Sequence, residues 1–361
     1  MRKNGLANLA FQKFKKNFWG VISFWFILLV GFVSIFAYVI APDSSQYSNQ
    51  MHLSIHSKSP GFSVQMLVVP SSLESNQNLF NRLFFGNSHP PKEIPISSYR
   101  IDDKHIYYSD YSSFGLKQLE KSIKLSDNTN SSPPFVTERT FYFGTDKYGR
   151  DLLSRILVGA RISFSIGFIA VFISLLIGLV LGSLAGYFGG KWDAIIMWVI
   201  NVTWSIPTLL LVIAITLALG KGFWQVFIAV GLTMWVEVAR IVRGQVMSVK
   251  QMQYVTAARA LGYSNFRIIT KHILPNILAP IIVICAANFA AAILIESGLS
   301  FLGIGAQPPM SSWGSMIKDH YNYIILGKPY LALIPGFCIM SLVLAFMLMG
   351  NNLRDALDVK D

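Results

Sequence analysis

Charged residues are scarce. Only 13% of the 361 residues are Asp, Glu, Lys or Arg, about half the roughly 25% of an ordinary soluble domain, which excludes a typical water-soluble globular fold. Acids are scarcer than bases, 18 against 30, for a formal charge of +12. In a soluble chain that excess would point to nucleic acid. Here the apolar residues gather in long charge-free blocks, so the cations bear on which side of a bilayer they occupy, and no nucleic-acid partner is implied. The two cysteines, Cys285 and Cys338, both fall in apolar blocks; that excludes a disulfide scaffold and a Cys-rich metal site and makes them small apolar packing groups. No A-x-A site follows the first apolar block, which therefore reads as a retained anchor. No Walker A loop is present: the nearest text, Gly189-Gly-Lys-Trp192, ends in Trp, so the chain is not expected to bind ATP. No solenoid-like repeat period is visible.

What is present is a set of membrane spans. A helix crossing hydrocarbon needs about 20 mostly apolar residues, because backbone polar groups there find no water. Six blocks qualify, 18–40, 162–187, 194–219, 223–239, 272–297 and 330–351, the fourth being weakest because Glu237 and Arg240 intrude near its end. An even number of spans puts both termini on one side. With that side cytoplasmic, fourteen Lys and Arg lie inside (among them Arg2, Lys191, Arg240, Arg243, Lys250, Arg354 and Lys360), against Lys221, Lys318 and Lys328 in the short outer loops, so the positive-inside rule places both termini in the cytoplasm. Residues 1–17 form a basic amphipathic segment ahead of the first span. The polar segment 43–143 then becomes an external insertion, too long for a turn. Val64–Val69 and Arg100–Tyr111 have strand-like content, while Asp127–Pro134 reads as a linker, so a partly β external unit is expected. The five remaining spans lie within 144–361.

The basic stretch of about 240–272 contains six Lys or Arg and no acid. Tyr254, Ala257, Ala258 and Leu261 recur at i, i+3, i+4 and i+7, which predicts a short helix with one nearly flat apolar face. Gly262 suits an αL stop, Ser264 or Asn265 a following cap, and Pro275 falls close after, at the start of the next span. Two readings fit this helix-turn-helix: docking into a groove on another protein, or lying on anionic lipid.

The run Tyr254-Val-Thr-Ala-Ala-Arg-Ala-Leu-Gly262, followed after nine residues by His272-Ile-Leu-Pro275, resembles the E-A-A-x3-G-x9-I-x-L-P signature of permease subunits of binding-protein-dependent ATP-binding-cassette importers. Thr256 stands where that family has Glu, and His272 where the general signature has Ile. Phe143-Gly-Thr-Asp-Lys-Tyr-Gly-Arg-Asp-Leu-Leu-Ser-Arg155 with Gly159-Ala-Arg-Ile-Ser163 is similar to the segment before the second span of the C-type subunit of dipeptide and oligopeptide permeases. Ala239–Gln245, Leu299–Gly305, Ser312-Trp-Gly314 and Asn352–Asp358 match that branch too. The resemblance covers 143–361 closely and 1–42 loosely, and does not explain the insertion. It implies an all-α membrane protein of six transmembrane helices with a cytoplasmic coupling helix-turn-helix. It further implies a multi-pass subunit of the bacterial inner membrane that is not itself an enzyme. The implied partners are a second related permease, two cytoplasmic ATPases that hold the ATP and Mg, an external binding protein, peptide cargo and lipid. Tyr254, Thr256, Ala257, Ala258, Leu261, Gly262, His272, Leu274 and Pro275 would then couple to the ATPase. Nickel is the alternative cargo; an ion-driven secondary transporter and an intramembrane protease are remoter alternatives.

Gly144, Thr145, Asp146, Gly149, Arg150, Asp151 and Arg155 are expected to make an outer-surface motif in which Asp146, Arg150, Asp151 and Arg155 form a salt-bridged collar, since charges near lipid must be paired. Glu237 and Glu296 are the acids nearest the hydrocarbon. For Glu237 a structural pair with Arg240 or Arg243 is expected, with a pathway or interface role as the alternative; for Glu296 a pathway or subunit-interface role stands beside a structural one. Trp198 and Asn201 occupy positions where the resemblance leads one to expect charge. His52 and His56, four apart, sit in a loop-like context, Ser300 with His320 lacks the second Gly of a G-x-S-G protease site, and no metal site is expected. Pro207, Pro275, Pro280 and Pro335 break helices within or at the ends of spans.

Overall fold

The structure, a computed structural model, describes residues 3–71, 78–102, 105–112, 120–124, 134–220 and 222–357. Arg2, Lys221 and Lys360 of the charge tally, Asp358 of the C-terminal motif and 127–133 of the linker lie outside the described residues. The chain divides into two compact units, one comprising Gly31–Ile162 and Pro308–Gly336, the other Met1–Val30, Ser163–Gln307 and Phe337–Asp361.

Thirteen α-helices are found among the described residues. In the N-terminal half they are α1 (Lys3–Lys16), α2 (Phe18–Ile35), α3 (Ala37–Ile40), α4 (Leu79–Phe85) and α5 (Leu152–Phe188). The rest are α6 (Gly190–Trp204), α7 (Thr208–Leu219), α8 (Phe223–Lys250), α9 (Gln253–Ala260), α10 (Asn265–Ile268), α11 (Leu278–Phe301), α12 (Trp313–His320) and α13 (Tyr330–Leu357). Five of them, α2, α5, α8, α11 and α13, are long and apolar enough to cross a membrane, and α6 with α7 make a sixth candidate bent by 92°. The expected span 194–219 is therefore broken, at the Pro207 read from the sequence as a helix breaker. Pro207 has no amide hydrogen to donate and disfavours helix in the residue before it, so the ladder stops at Ser205 and restarts at Thr208. The other spans differ in their ends. The fourth runs on to Lys250, the second begins at Leu152, and the fifth begins at Leu278 after π and 3₁₀ turns over Ile269–Asn276.

The core of the second-named unit is close helix packing. Gly178, Gly182 and Gly186, one per turn of α5, meet Val238, Val242 and Val246 of α8; a Cβ on Gly182 would sit 2.5 Å from the Ala239 carbonyl oxygen. Small residues let the two backbones approach, so dispersion contacts replace a hydrophobic drive that is absent in lipid.

The other unit carries the insertion. Strands β1 (Phe62–Val69), β2 (Lys92–Ile101), β3 (His105–Asp110), β4 (Lys121–Lys124) and β5 (Phe135–Phe141) form an antiparallel sheet in the order β4-β3-β2-β1-β5. Val64–Val69 lies inside β1 as expected, whereas Arg100 and Ile101 end β2 and His105–Asp110 is β3, its antiparallel partner. Alternation in β1 sends Val64 and Met66 to one face with Ile55 and Phe141, and Leu67 to the other with Ile96, Ile106 and Tyr108. Phe62 and Phe141 are register partners, so the sheet's entry and exit are neighbours.

The α5–α8 contact generates a prediction. Gly182→Ile should destabilise the detergent-purified protein by about 1–3 kcal/mol, the cost of overpacking, while Val180→Ile, 57% exposed on the same helix, should leave the melting temperature unchanged. Equal melting of both variants would show that the helices are not in contact at Gly182.

Candidate functional site

The basic loop folds as a helix-turn-helix. Met252 precedes α9; after it Gly262, at φ +75°, ends the turn with its N–H on the Arg259 carbonyl, and the Tyr263 N–H returns to the Ala258 carbonyl at 3.2 Å. These two bonds are the Schellman closure, and they need the left-handed backbone that glycine adopts without strain. Ser264 then caps α10 by accepting from the Arg267 N–H. The expected flat outer face is corrected in one position. Ala258 is only 4% exposed and packs inward with Val255 against Tyr187, Val238, Val242 and Val246. The outward surface consists of Tyr254, Thr256, Ala257, Leu261 and Gly262, with Leu261 73% and Phe266 78% exposed. Pro275 is also exposed; His272 is half-buried, its ring stacked on Tyr263, and Leu274 is half-buried against the inner cluster. Phe266 was missed by sequence reasoning because it falls outside the i, i+3, i+4 pattern. The loop is tied to the membrane helices: the Tyr187 hydroxyl donates to Asn265 Oδ1 at 2.7 Å, and Lys250 Nζ donates to the Tyr187 carbonyl.

At membrane depth the expected Glu237 pair does not form. Arg243 makes a two-pronged bond to Asp193, with Nε to Oδ1 at 2.5 Å and Nη2 to Oδ2 at 2.7 Å. Arg240 donates to Asn201 Oδ1 at 3.1 Å, and its guanidinium lies 3.7 Å from the Trp204 ring centre. Planar guanidinium takes a matched carboxylate or an aromatic face in preference to the skewed i, i+3 approach to Glu237. Asn201 is thus a partner in place of the charge expected there, while Trp198 is exposed. Glu237 instead faces a cavity of about 230 Å³ at the α6–α7 break, lined also by Thr203, Trp204, Thr208, Thr233 and Ile295. Glu296 is 1% exposed and accepts from Ser300 Oγ at 2.6 Å; the same oxygen accepts from the Ala306 N–H. That arrangement closes the turn after α11.

The Gly144–Arg155 motif is a buried core, where a surface collar was expected. Asp146 is fully buried and accepts from the Tyr148 and Arg150 amides at 2.8 and 2.9 Å and from Arg150 Nε at 2.6 Å, with Arg155 Nε at 3.6 Å. Among the described residues Asp151 makes no salt bridge with an arginine; it caps α5 through the Ser154 amide at 2.9 Å. Thr145 binds the segment before the sheet, its Oγ1 accepting from the Lys58 amide and donating to the Ile55 carbonyl. Gly149, at φ +75°, passes so close to His52 that a Cβ would lie 1.8 Å from its carbonyl oxygen. Gly144 meets the Lys58 carbonyl in the same way.

His52 and His56 flank a short 3₁₀ turn, Leu53–Ile55. Burial, with Arg139 nearby, lowers the His52 imidazole to about 4, so its 4.0 Å approach to Glu93 Oε2 is made by a neutral ring at pH 7. Glu93, itself raised by burial, pairs with Arg139. His320 Nδ1 contacts the Met316 carbonyl, and its Nε2 accepts from the Lys147 amide at 3.4 Å. Ser300 and His320 thus each hold local structure. No cluster of three metal-ligating side chains occurs among the described residues.

Two measurements follow. Asp146→Asn leaves Arg150 and Arg155 buried without their counter-charge and should cost about 3–5 kcal/mol, read as a large drop in melting temperature; a drop within the range of surface substitutions would place Asp146 outside the core. Because the His52 value is depressed in the fold, the unfolded chain takes up its proton first as pH falls. His52→Gln should therefore abolish up to about 3 kcal/mol of the stability lost between pH 6.5 and 4; an unaltered acid limb would contradict a buried neutral imidazole.

The comparisons with known proteins agree with this geometry. Residues 178–359 match the family described as binding-protein-dependent transport system inner membrane component, and residues 5–60 match the N-terminal TM domain of oligopeptide transport permease C. The chain is 44% identical over 219 residues to the dipeptide transport system permease protein DppC of Alkalihalophilus pseudofirmus, covering 61% of this chain and 72% of the relative. It is 44% identical over 232 residues to the oligopeptide transport system permease protein OppC of Escherichia coli, covering 64% and 76%. It is 42% identical over 234 residues to the E. coli glutathione transport system permease protein GsiD, covering 65% and 76%. The resemblance drawn from the coupling signature and the Gly-Thr-Asp motif is thereby borne out, and this chain belongs to the family of binding-protein-dependent transport system inner membrane components.

Proposed function

We propose that the chain is one of two permease subunits lining the pathway of an ATP-driven importer for dipeptides and oligopeptides. Hydrolysis is the work of separate ATPases that dock on the cytoplasmic loops of both permeases, and an external binding protein delivers the peptide. The observation that carries this reading is the loop after α8: an apolar surface of Leu261 and Phe266, ringed by Arg259, Arg267 and Lys271 without an acid, and held rigidly by a Schellman turn. Exposed aromatic and aliphatic anchors with a cationic rim suit a groove in a protein partner. The names of the three relatives support peptide cargo, and glutathione is itself a short peptide. The excess of Lys and Arg at one set of span ends supports cytoplasmic termini and an external insertion.

Glu237 takes a second part in this reading. An acid beside a broken helix, in a cavity with three threonines and without an ion pair among the described residues, is suited to meet the ammonium of a peptide in transit.

Uptake of a labelled dipeptide into proteoliposomes holding this chain, its partner permease, the ATPases and the binding protein should require ATP. Accumulation of another solute and of no peptide would overturn the cargo. Leu261→Glu with Phe266→Glu should leave the protein in the membrane, weaken co-purification of the ATPases at least about tenfold and stop uptake, whereas Ala258→Glu, pointing inward, should lower the yield of folded protein. Normal coupling in the double variant would assign the loop to lipid.

A further inference from the structure

A membrane helix surfaces where the hydrocarbon ends. The 18 residues of α2 rise roughly 27 Å, most of the ~30 Å hydrocarbon core, so α3 and the polar Asp43 after it lie at the bilayer boundary. Against α3 the insertion places α4, with the sequence LFNRLFF. Three attachments hold it there. Ser45 and Asn87 form a backbone bridge, with the Asn87 amide donating to the Ser44 carbonyl at 2.8 Å. Gly86 lets the chain pass close to the Tyr38 ring, where a Cβ would lie 2.9 Å from a ring carbon. Arg161 donates to the Phe84 carbonyl at 2.8 Å while lying over the Tyr38 ring, a cation at the C-terminal end of the helix.

A helix so firmly pinned nevertheless turns its aromatic side chains outward. Phe80 is 64% and Phe85 60% exposed, and Phe84 packs against Phe80 with tilted rings whose centres lie 4.6 Å apart. The surface continues onto α3, where Val39 and Ile40 are exposed as well. Between the two helices lies a cavity of about 730 Å³, and its lining includes both apolar Val39 and Phe80 and, at the polar side, Ser44 and Arg82. An apolar face with an adjoining cation and no acid, continuous with the end of a membrane helix, has the chemistry of an interfacial anchor.

We propose that α4 anchors the insertion to the bilayer. Phe80, Phe84 and Phe85 enter the acyl boundary of the leaflet at the C-terminal end of α2, and Arg82 meets a phospholipid phosphate at the mouth of the cavity. The insertion is thereby fastened to the membrane independently of its chain connections, and this holds whatever the transporter carries.

The test is made on the assembled transporter in vesicles of phosphatidylethanolamine and phosphatidylglycerol, with Cys285 and Cys338 replaced by Ser. A single nitroxide-labelled cysteine is placed at Phe80, at Phe84 or, as a water reference, at Tyr99 on β2. Accessibility to oxygen relative to a water-soluble nickel chelate should be several-fold higher at 80 and 84 than at 99, and Arg82→Glu should shift the label at 80 towards water. Values at 80 and 84 equal to those at 99 overturn the anchor. So does protection that appears only when the external binding protein is added, which would assign the face to that protein. Phe80→Asp with Phe84→Asp alters exposed side chains alone and should move a label at Phe85 into water; a label still in lipid in that variant also overturns it.

Discussion

Inside hydrocarbon every polar group must find its partner in the protein, and the arrangement of this chain answers to that constraint. The arginines of α8 are held by Asp193, Asn201 and the Trp204 ring, Glu296 by Ser300, and the backbone by unbroken helix in five of the six candidate spans. Where the backbone does break, between α6 and α7, the gap opens on a cavity with threonine hydroxyls and a carboxylate, a setting that suits water better than lipid. Strands, whose edges expose unpaired amides, occur among the described residues only within 62–141, in the segment between the first and second spans.

The presence of the membrane helices was legible because apolar runs are their physical requirement. Their ends were not. Hydropathy reports where lipid touches the chain, whereas helix ends depend on caps and on packing beyond the membrane; α8 accordingly runs eleven residues past the expected Ala239 to Lys250. Partners distant in sequence were also hidden. Asp193 lies fifty residues from Arg243, and nothing in local spacing marks it as a better partner than Glu237, six residues away on the same helix. In α9 the period was right, and Tyr254, Ala257 and Leu261 face outward as expected, but Ala258 turns inward. The buried pair is Val255 and Ala258, and flatness alone could not say which side of α9 meets the membrane helices.

The Gly-Thr-Asp motif was readable as important but not as interior. Its charges looked like surface groups because their burial depends on residues 52–58, which wrap over Gly144, Thr145 and Gly149 by backbone contacts that carry no side-chain signature. The same contacts explain how so large an insertion is tolerated. Chain enters and leaves the sheet at the paired residues Phe62 and Phe141, so the strands extend outward from a closed base and leave the Asp146 turn undisturbed.

The continuity of α8 has a mechanical consequence. One uninterrupted helix carries Glu237 and, thirteen residues further on, Lys250 at the edge of the turn before α9, a separation of about 20 Å. The α9 side chains Val255 and Ala258 are packed on that same helix. A continuous helix is a rigid element that can carry a rotation at the turn to the cavity wall along its length. About 3° of tilt imposed at the turn displaces the Glu237 end of the helix by about 1 Å over that length. The bent α6–α7 pair opposite has no such stiffness at Ser205–Pro207, so the cavity is bounded by one rigid wall and one compliant one.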